Sequence, residues 1–185
     1  MGEQHKKHSR REHLNDFHLN VAGEYVYDGA LYACQSDDAK QHRIKRAVWG
    51  MAAILTVAVA AGGCIPAPGM QNCFYVLLPY LGEFLGAASV IWALAKLGMD
   101  WGTVREYNYK KSVAVLPVRT AVTAVFSLLG IVCELIFFFV NDHAGQTFFA
   151  LLYVLLKLIA LLSVLVLRAE IMQAEWDKLP KKNNF

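Results

Sequence analysis

Three ionisable side chains, Glu83, Glu134 and Lys157, lie inside long apolar runs of the sequence. An unpaired charge near the centre of a bilayer costs roughly 2.5 to 3.5 kcal/mol on the insertion scale, so such side chains turn towards a bundle interior. Two chemistries fit this set. One is a proton or ion pathway that uses the carboxylates, with Lys157 as an internal counter-cation. The other is a buried ion pair that fixes helix register and adds little net stability.

Helix geometry predicts which of these groups meet. Counted at about 1.5 Å per residue from the outer helix ends, Glu83 and Lys157 both lie about 14 to 15 Å deep, and Glu134 about 9 Å. We therefore expect an ion pair between Glu83 and Lys157, with Glu134 within reach of Lys157 one or two turns further out. Tyr80 and Tyr153 are placed to donate hydrogen bonds to this pair.

Four apolar stretches are long enough to carry these side chains across a bilayer, for which a helix needs about 20 residues. They run from Ala47 to Gly63, from Phe74 to Leu97, from Val118 to Val140 and from Thr147 to Leu167. Backbone polar groups cannot go unpaired in hydrocarbon, so each stretch is predicted to be a helix. The predicted fold class is an all-α integral membrane protein, a four-helix transmembrane bundle over residues 47–167, with a small N-terminal cytoplasmic β-hairpin.

The placement of the cations predicts how the chain is oriented. Apart from Lys157, every Lys and Arg residue lies before Ala47, between Lys96 and Arg119, or after Leu167. The two segments expected on the other side, 64–73 and 141–146, contain none. Because cytoplasmic loops are enriched in Lys and Arg, both termini are predicted to be cytoplasmic. We expect the bilayer to be a plasma membrane, and specifically a bacterial inner membrane.

Small and weakly polar residues recur on one face of the first three stretches, at the helical spacing of three and four residues. They are Ala53, Thr56, Ala60 and Gly63, then Gly82, Gly86, Ser89 and Ala93, and then Thr120, Thr123, Ser127, Gly130 and Glu134. Helices associate within a bilayer by close packing at such residues. We expect the three stripes to face the bundle interior as packing contacts.

Cys64 and Cys73 bracket the predicted outer loop, which would face an oxidising compartment. We predict a disulfide between them, worth about 2.7 kcal/mol for a loop of about ten residues. A four-helix membrane protein with such cysteines resembles the quinone-coupled thiol oxidases and the vitamin K epoxide reductase type. Those enzymes need a CxxC redox centre and a shuttle pair, and the chain has no CxxC. A structural staple is therefore the preferred interpretation.

The polar segments flank the spans. Residues 1–20 are predicted to be a disordered basic tail, and 21–46 a β-hairpin followed by a helix that leads into the first span. Residues 168–185 are predicted to be a helical extension and a tail. The hairpin turn is expected at Asp28 and Gly29, between two aromatic-rich runs.

Local signals predict the ends of several elements. Ser36 followed by Asp37 and Asp38 predicts the start of a helix. Pro66, Pro68 and Gly69 predict a turn in the first outer loop. Pro180 is expected to end the last helix.

No nucleotide-binding loop, metal-ligand cluster or nucleophile–base set is present in the sequence. We therefore expect no enzyme activity, cofactor or metal. The leading hypothesis is an accessory, scaffold or assembly subunit. The alternatives are a small ion- or proton-coupled transporter or channel that uses Glu83, Glu134 and Lys157, and a membrane thiol oxidoreductase that uses Cys64 and Cys73.

The expected partners follow from the same features. The lipid bilayer contacts the spans, and a protein could dock on the cytoplasmic hairpin and the 98–116 loop. A second copy of the chain is a further candidate. The net charge of +3 is too small to indicate nucleic acid.

Overall fold

The computed structural model describes residues 17–19, 23, 25–27, 29–98, 101–141 and 147–179. Its helices are α1 (Asp38–Cys64), α2 (Pro68–Asn72), α3 (Phe74–Leu97), α4 (Glu106–Lys111), α5 (Leu116–Val140) and α6 (Thr147–Met172), with a 3-10 turn at Val113–Val115. The strands are β1 (Phe17–Leu19), β2 (Tyr25–Tyr27), β3 (Leu31–Cys34), β4 (Thr103–Arg105) and β5 (Trp176–Lys178).

The four long helices α1, α3, α5 and α6 are long and apolar enough to cross a membrane. Helix α3 has the predicted bounds, α5 ends at the predicted Val140, and α6 begins at the predicted Thr147. Helix α1 begins at Asp38, directly after Asp37, and continues without a break through the first predicted span. The sequence therefore predicted the four-helix architecture correctly.

The four long helices form a ring. Helix α1 packs against α6, α6 against α5, and α5 against α3, while α3 and α1 close the ring with less extensive contact. Helices α3 and α6 consequently lie diagonally across the bundle. The end that carries strands β3, β4 and β5 is called the sheet end below, and the opposite end is called the α2 end.

The small-residue stripes of α3 and α5 meet in the ring. Thr123 is buried, and a Cβ atom added at Gly86 would lie 2.6 Å from Oγ1 and 3.3 Å from Cα of Thr123. A Cβ atom at Gly82 would overlap the Phe126 ring. The two helices therefore approach closely because these glycines carry no side chain.

The stripe predicted for α1 is on the wrong face. Ala53, Thr56, Ala60 and Gly63 are exposed in the structure. The buried face instead carries mainly larger aliphatic residues, namely Ile44, Val48, Ala52, Leu55, Ala58, Val59 and Gly62. The physical reason is volume, since the Ile, Leu and Val side chains fill the interior against neighbouring helices and small residues would leave voids there.

The predicted turn in the first outer loop is also wrong. Residues Pro68–Asn72 form α2, a single helical turn. Pro68 occupies its first position, where the fixed φ of proline suits a helix and its missing N–H has no intrahelical partner to lose. The proline that indicated a turn therefore begins a helix.

The pairing of β2 with β3 that the predicted hairpin requires is absent from the described strands, and Asp28 of the predicted turn lies outside the described residues. Strand β2 pairs antiparallel with β1, whereas β3 is the central strand of a separate sheet, between β4 and β5. Tyr32 of β3 is opposite Val104 in β4 and Lys178 in β5. Strand β1 also lies within the segment predicted to be a disordered tail, while residues 1–16 lie outside the described part.

An aromatic cluster explains why β3 pairs with strands so distant in sequence. Tyr32 stacks on Tyr109 with ring centroids 4.1 Å apart, and Tyr109 is 6.1 Å from Trp176. Trp176 is 6.2 Å from the buried Trp101. Packing these four aromatic rings together, with Trp101 buried and the other three half-buried, favours this sheet over a local hairpin, which is marginal in water.

The end of the last helix differs from the prediction for the same reason. Helix α6 ends at Met172, eight residues before Pro180, and the chain enters β5. The backbone N–H of Gln35 donates to the carbonyl of Glu175 at 2.9 Å, which joins the two termini of the bundle. The sheet, and not the proline, therefore ends this helix.

We predict that Gly86→Ala lowers the free energy of unfolding by about 1 to 3 kcal/mol, because α3 and α5 would have to separate. Gly50→Ala is the matched control. A Cβ atom at Gly50 meets nothing within 4 Å, so this change should stabilise α1 by up to about 1 kcal/mol. Denaturation of both variants in the same detergent measures the difference, and equal stability would contradict the close α3–α5 contact.

Candidate functional site

The three ionisable side chains within the apolar helices all point into the bundle. Glu83 of α3 and Glu134 of α5 are fully buried, and Lys157 of α6 is 2% exposed. Each lies on the inward stripe of its helix, one or two turns from a small residue that gives it space. They are the charged side chains found buried among the described residues.

Glu83 and Lys157 form an ion pair across the diagonal of the bundle. Lys157 Nζ donates to Oε2 of Glu83. The structure thus brings together the two side chains that were expected at the same depth. Since α3 and α6 are not ring neighbours, this bond connects helices that otherwise have little contact. In a dry interior the attraction is strong, but so is the cost of removing both charges from water.

Aromatic rings surround the ammonium group of Lys157. Nζ lies 4.6 Å from the ring centroid of Tyr80 and 5.2 Å from that of Tyr153. Both distances are within the range of a cation–π interaction. A Cβ atom at Gly130 would be 3.6 Å from Nζ, so the glycine of α5 closes the remaining side.

The predicted role of the two tyrosine hydroxyls is wrong. The Tyr80 hydroxyl donates to the carbonyl of Val59 in α1 at 3.3 Å, not to the ion pair. The Tyr153 hydroxyl is buried and has no hydrogen-bond partner among the described residues. The rings, rather than the hydroxyls, face Lys157, because the ammonium already donates to Glu83.

Glu134 is not paired with Lys157. Neither carboxyl oxygen is bonded to a side chain in the described part of the chain, and the backbone N–H of Gly69 faces the carboxyl group. The group lies one turn from Gly130 towards the α2 end, and its Oε2 touches the backbone of Gly69 so closely that a side chain there would overlap it. Sequence reasoning missed the contact with Gly69, because the outer loop had been interpreted as an exposed turn.

Small and hydroxyl-bearing residues of α5 pack beside the ion pair in the bundle interior, where the inward faces of the long helices meet. This central contact region is called the seam below. The Ser127 hydroxyl donates to the carbonyl of Lys157 at 3.2 Å and joins α5 to α6. Thr120 and Thr123 donate to carbonyls of their own helix at 2.9 and 2.8 Å. Their hydroxyls are therefore satisfied without water.

Glu83, Glu134 and Lys157, called the polar column below, do not extend past the middle of the bundle. Towards the sheet end the seam is filled by aliphatic side chains that are at most 1% exposed, namely Val48, Val90, Leu94, Leu116, Val164 and Leu167. The hydroxyls buried among them donate to backbone carbonyls of their own helices, as Ser163 does to Ile159 at 2.7 Å. Buried charge is thus confined to the middle and the α2 half of the described bundle.

Two arginines at the sheet end were not recognised as structural from the sequence. Arg119 donates to the carbonyl of Ser89 at 2.6 Å and ties α5 to α3. Arg168 donates to the carbonyl of Pro117 and ties α6 to α5. Both arginines lie near helix ends, and from that position only the orientation of the chain is predicted above.

The predicted disulfide is not formed. Cys64 and Cys73 are free thiols, as are Cys34 and Cys133. Cys64 is exposed at the end of α1, whereas Cys73 is half-buried between α2 and α3. The described residues also contain no group of three His, Cys, Asp or Glu side chains arranged to hold a metal ion.

Removing one member of the diagonal ion pair should be far more damaging than removing both. We predict that Glu83→Gln lowers the free energy of unfolding by about 3 to 5 kcal/mol, because Lys157 is left as an uncompensated buried cation. The double variant Glu83→Gln/Lys157→Met should recover most of that loss. With the single variant Lys157→Met included, unfolding in detergent gives the three stability changes that a double-mutant cycle requires.

The exposed pair Glu106–Lys110 supplies the control. Its atoms are 2.7 Å apart, but the side chains are 30% and 67% exposed. Glu106→Gln should therefore change stability by less than about 1 kcal/mol. Similar losses for Glu83→Gln and Glu106→Gln would mean that the diagonal pair contributes nothing particular to the bundle.

Comparisons with protein-family models, with curated proteins and with solved structures found no match to this chain. Its function is therefore inferred from its own residues and contacts.

Proposed function

We propose that the chain is a multi-pass membrane protein with its sheet end and both termini on the cytoplasmic side of a plasma membrane. Strands β3, β4 and β5 come from the N-terminal, central and C-terminal polar segments, and they pair in one sheet at one end of the bundle. All Lys and Arg residues except Lys157 belong to those three segments. Both observations support the same orientation, since cations are enriched on the cytoplasmic side. We propose that this plasma membrane is a bacterial inner membrane.

Its role, we infer, is that of an accessory or assembly subunit that packs against the transmembrane helix of a partner. The observation that carries this inference is the outward face of α1. Gly50, Ala53, Thr56 and Ala60 are exposed there. Small residues of this kind let two helix backbones approach closely in a bilayer, where apolar area alone does not drive association.

The other three long helices present a different outer surface. Their exposed faces carry large aliphatic and aromatic side chains, such as Leu85 at 67%, Val125 at 57% and Leu162 at 61% exposure. Only two large hydrophobic side chains of α1, Ile54 and Val57, are similarly exposed. Large side chains suit contact with lipid tails, so α1 is the helix whose surface suits a protein partner.

A transport role has less support. An ion pathway would need a polar, water-accessible cavity that reaches Glu83, whereas Glu83 is fully buried and bonded to Lys157. Beyond this pair the seam towards the sheet end is aliphatic, as at Val90 and Leu94. A thiol oxidoreductase has less support as well, because it would need a redox pair and Cys64 and Cys73 are separate thiols.

Larger side chains on the outer face of α1 test whether a partner helix packs there. Ala53→Leu/Ala60→Leu should prevent close helix approach, so the variant should run as the free 20.6 kDa chain where the wild type runs as a larger complex in mild detergent. Ala88→Leu/Ala95→Leu on α3 is the matched control. Its two exposed alanines have the same spacing of seven residues, and the complex should persist.

Cross-linking sharpens this test. A cysteine introduced at Ala60 should cross-link to the partner helix in native membranes, whereas one at Ala88 should not. Two results would contradict the assembly role. One is a wild-type protein that runs as the free chain, and the other is a complex that persists equally, or is lost equally, in the two double variants.

The orientation can be tested with a natural thiol. Cys64 is exposed at the α2 end, so a membrane-impermeant maleimide added to intact cells should label it, and Cys64→Ser should abolish that labelling. A reporter fused after Phe185 should be cytoplasmic. Labelling of Cys64 only after lysis would reverse the proposed orientation.

A further inference from the structure

The buried polar column contains more negative groups than positive ones. Glu83, Glu134 and Lys157 are the ionisable Glu and Lys side chains buried among the described residues, so one cation faces two carboxyl groups. Lys157 is committed to Glu83 through Oε2. An ionised Glu134 would therefore add one uncompensated negative charge to an interior that excludes water.

A lone carboxylate in such surroundings is too costly to keep ionised, and a buried acid takes up a proton instead. We propose that Glu134 is a proton-binding site, occupied as the neutral carboxylic acid and exchanging its proton with the compartment at the α2 end. The ligand is a single proton. This site is independent of the helix partner inferred for α1.

A second buried group supports the site. The Tyr153 hydroxyl is fully buried without a hydrogen-bond partner among the described residues, and it lies within electrostatic range of both Glu134 and Glu83. Oε1 of Glu83 is likewise unpartnered. A protonated carboxyl group can donate its O–H and still accept a hydrogen bond, whereas an ionised one can only accept, so the protonated form can pair with an unpaired hydroxyl in either direction.

The titratable groups around Glu134 come from three elements. Tyr75 of α3 and Tyr153 of α6 lie within electrostatic range of Glu134. The same two tyrosines also interact with further titratable groups, namely Cys73, Tyr80, Glu83 and, on α5 itself, Cys133. Helix α2 has no titratable side chain, and the buried face of α1 is aliphatic apart from glycine. Among the described residues the buried cation is Lys157, and it is bonded to Glu83. The backbone N–H of Gly69 faces Glu134, but a neutral N–H group does not supply the missing positive charge.

Access to the site lies at the α2 end. Ala67, Pro68 and Gly69 are buried, and the backbone of Gly69 rests directly on the Glu134 carboxyl. A single helical turn of five residues therefore covers the acid. Towards the sheet end, the aliphatic side chains of Val90, Leu94 and Val164 close the seam. A proton can thus enter and leave on one side, which makes this a binding site and not a conduit.

The proton also couples to stability. The folded protein holds a proton that an unfolded, solvated Glu134 would release at neutral pH. Stability from this site is present at low pH and is lost as rising pH removes the proton from the folded state. Glu134→Gln mimics the neutral acid, so that variant should lack this pH-dependent component.

The direct test uses dicyclohexylcarbodiimide, an apolar reagent that modifies protonated carboxyl groups. Full-length protein in liposomes is treated over a range of pH, and peptide mass mapping locates the adduct. We expect labelling at Glu134, a decrease of roughly tenfold per pH unit once the proton leaves, and no adduct in Glu134→Gln. Glu83, held as the partner of Lys157, should stay unlabelled and is the internal control.

Sidedness is tested in the same liposomes by changing the pH on one side at a time. Labelling should follow the pH on the side where Cys64 reacts with impermeant maleimide. Dependence on the opposite side would overturn the proposed access.

Infrared difference spectroscopy of the wild type gives a second, variant-independent measurement. A carboxylic-acid carbonyl band that disappears as pH rises supports the site. Absence of both that band and the Glu134 adduct at low pH would overturn it, whatever the outcome for the α1 partner.

Discussion

The bundle depends on one electrostatic constraint, the need to keep Lys157 neutralised in a dry interior. The ammonium reaches across the centre of the ring to Glu83, with Tyr80 and Tyr153 rings on its flanks. This bond connects two helices that are not neighbours and therefore sets their relative depth. The other two long helices also contact the residues around this bond. Helix α5 presents Gly130 and the Ser127 hydroxyl, and α1 accepts the Tyr80 hydroxyl.

Small residues perform two different tasks in this molecule. On α3 they let backbones approach, so that Gly86 rests on Thr123 of α5, and on α2 Gly69 rests on Glu134 of α5. On α1 the same kinds of residue face outwards, while aliphatic side chains fill the interior. A small residue is therefore informative only in combination with its burial. A buried small residue explains close packing between helices. An exposed one, on a helix long enough to span a bilayer, favours contact with a partner helix that can approach more closely than lipid tails.

The two ends of the bundle are built differently. At the sheet end, aromatic rings and three short strands join segments from both termini and the middle of the chain, and Arg119 and Arg168 bind carbonyls of neighbouring helices. At the α2 end, one helical turn covers an unpaired acid. The helices are therefore joined by more contacts between distant segments at the sheet end than at the α2 end.

The sequence by itself determined the four long apolar helices, the inward direction of the charges and the partnership of Glu83 with Lys157. These follow from bilayer thickness, helical periodicity and the cost of unpaired charge, which act locally and were readable in one chain. The packing faces of α3 and α5 were readable for the same reason. Only the tertiary structure decided the partners of β3, the end of α6 at Met172, the buried face of α1 and the isolation of Glu134. Those outcomes depend on which distant surfaces fill the same space. Aromatic rings from three segments compete with a local turn, and a single ammonium serves one of two carboxyl groups.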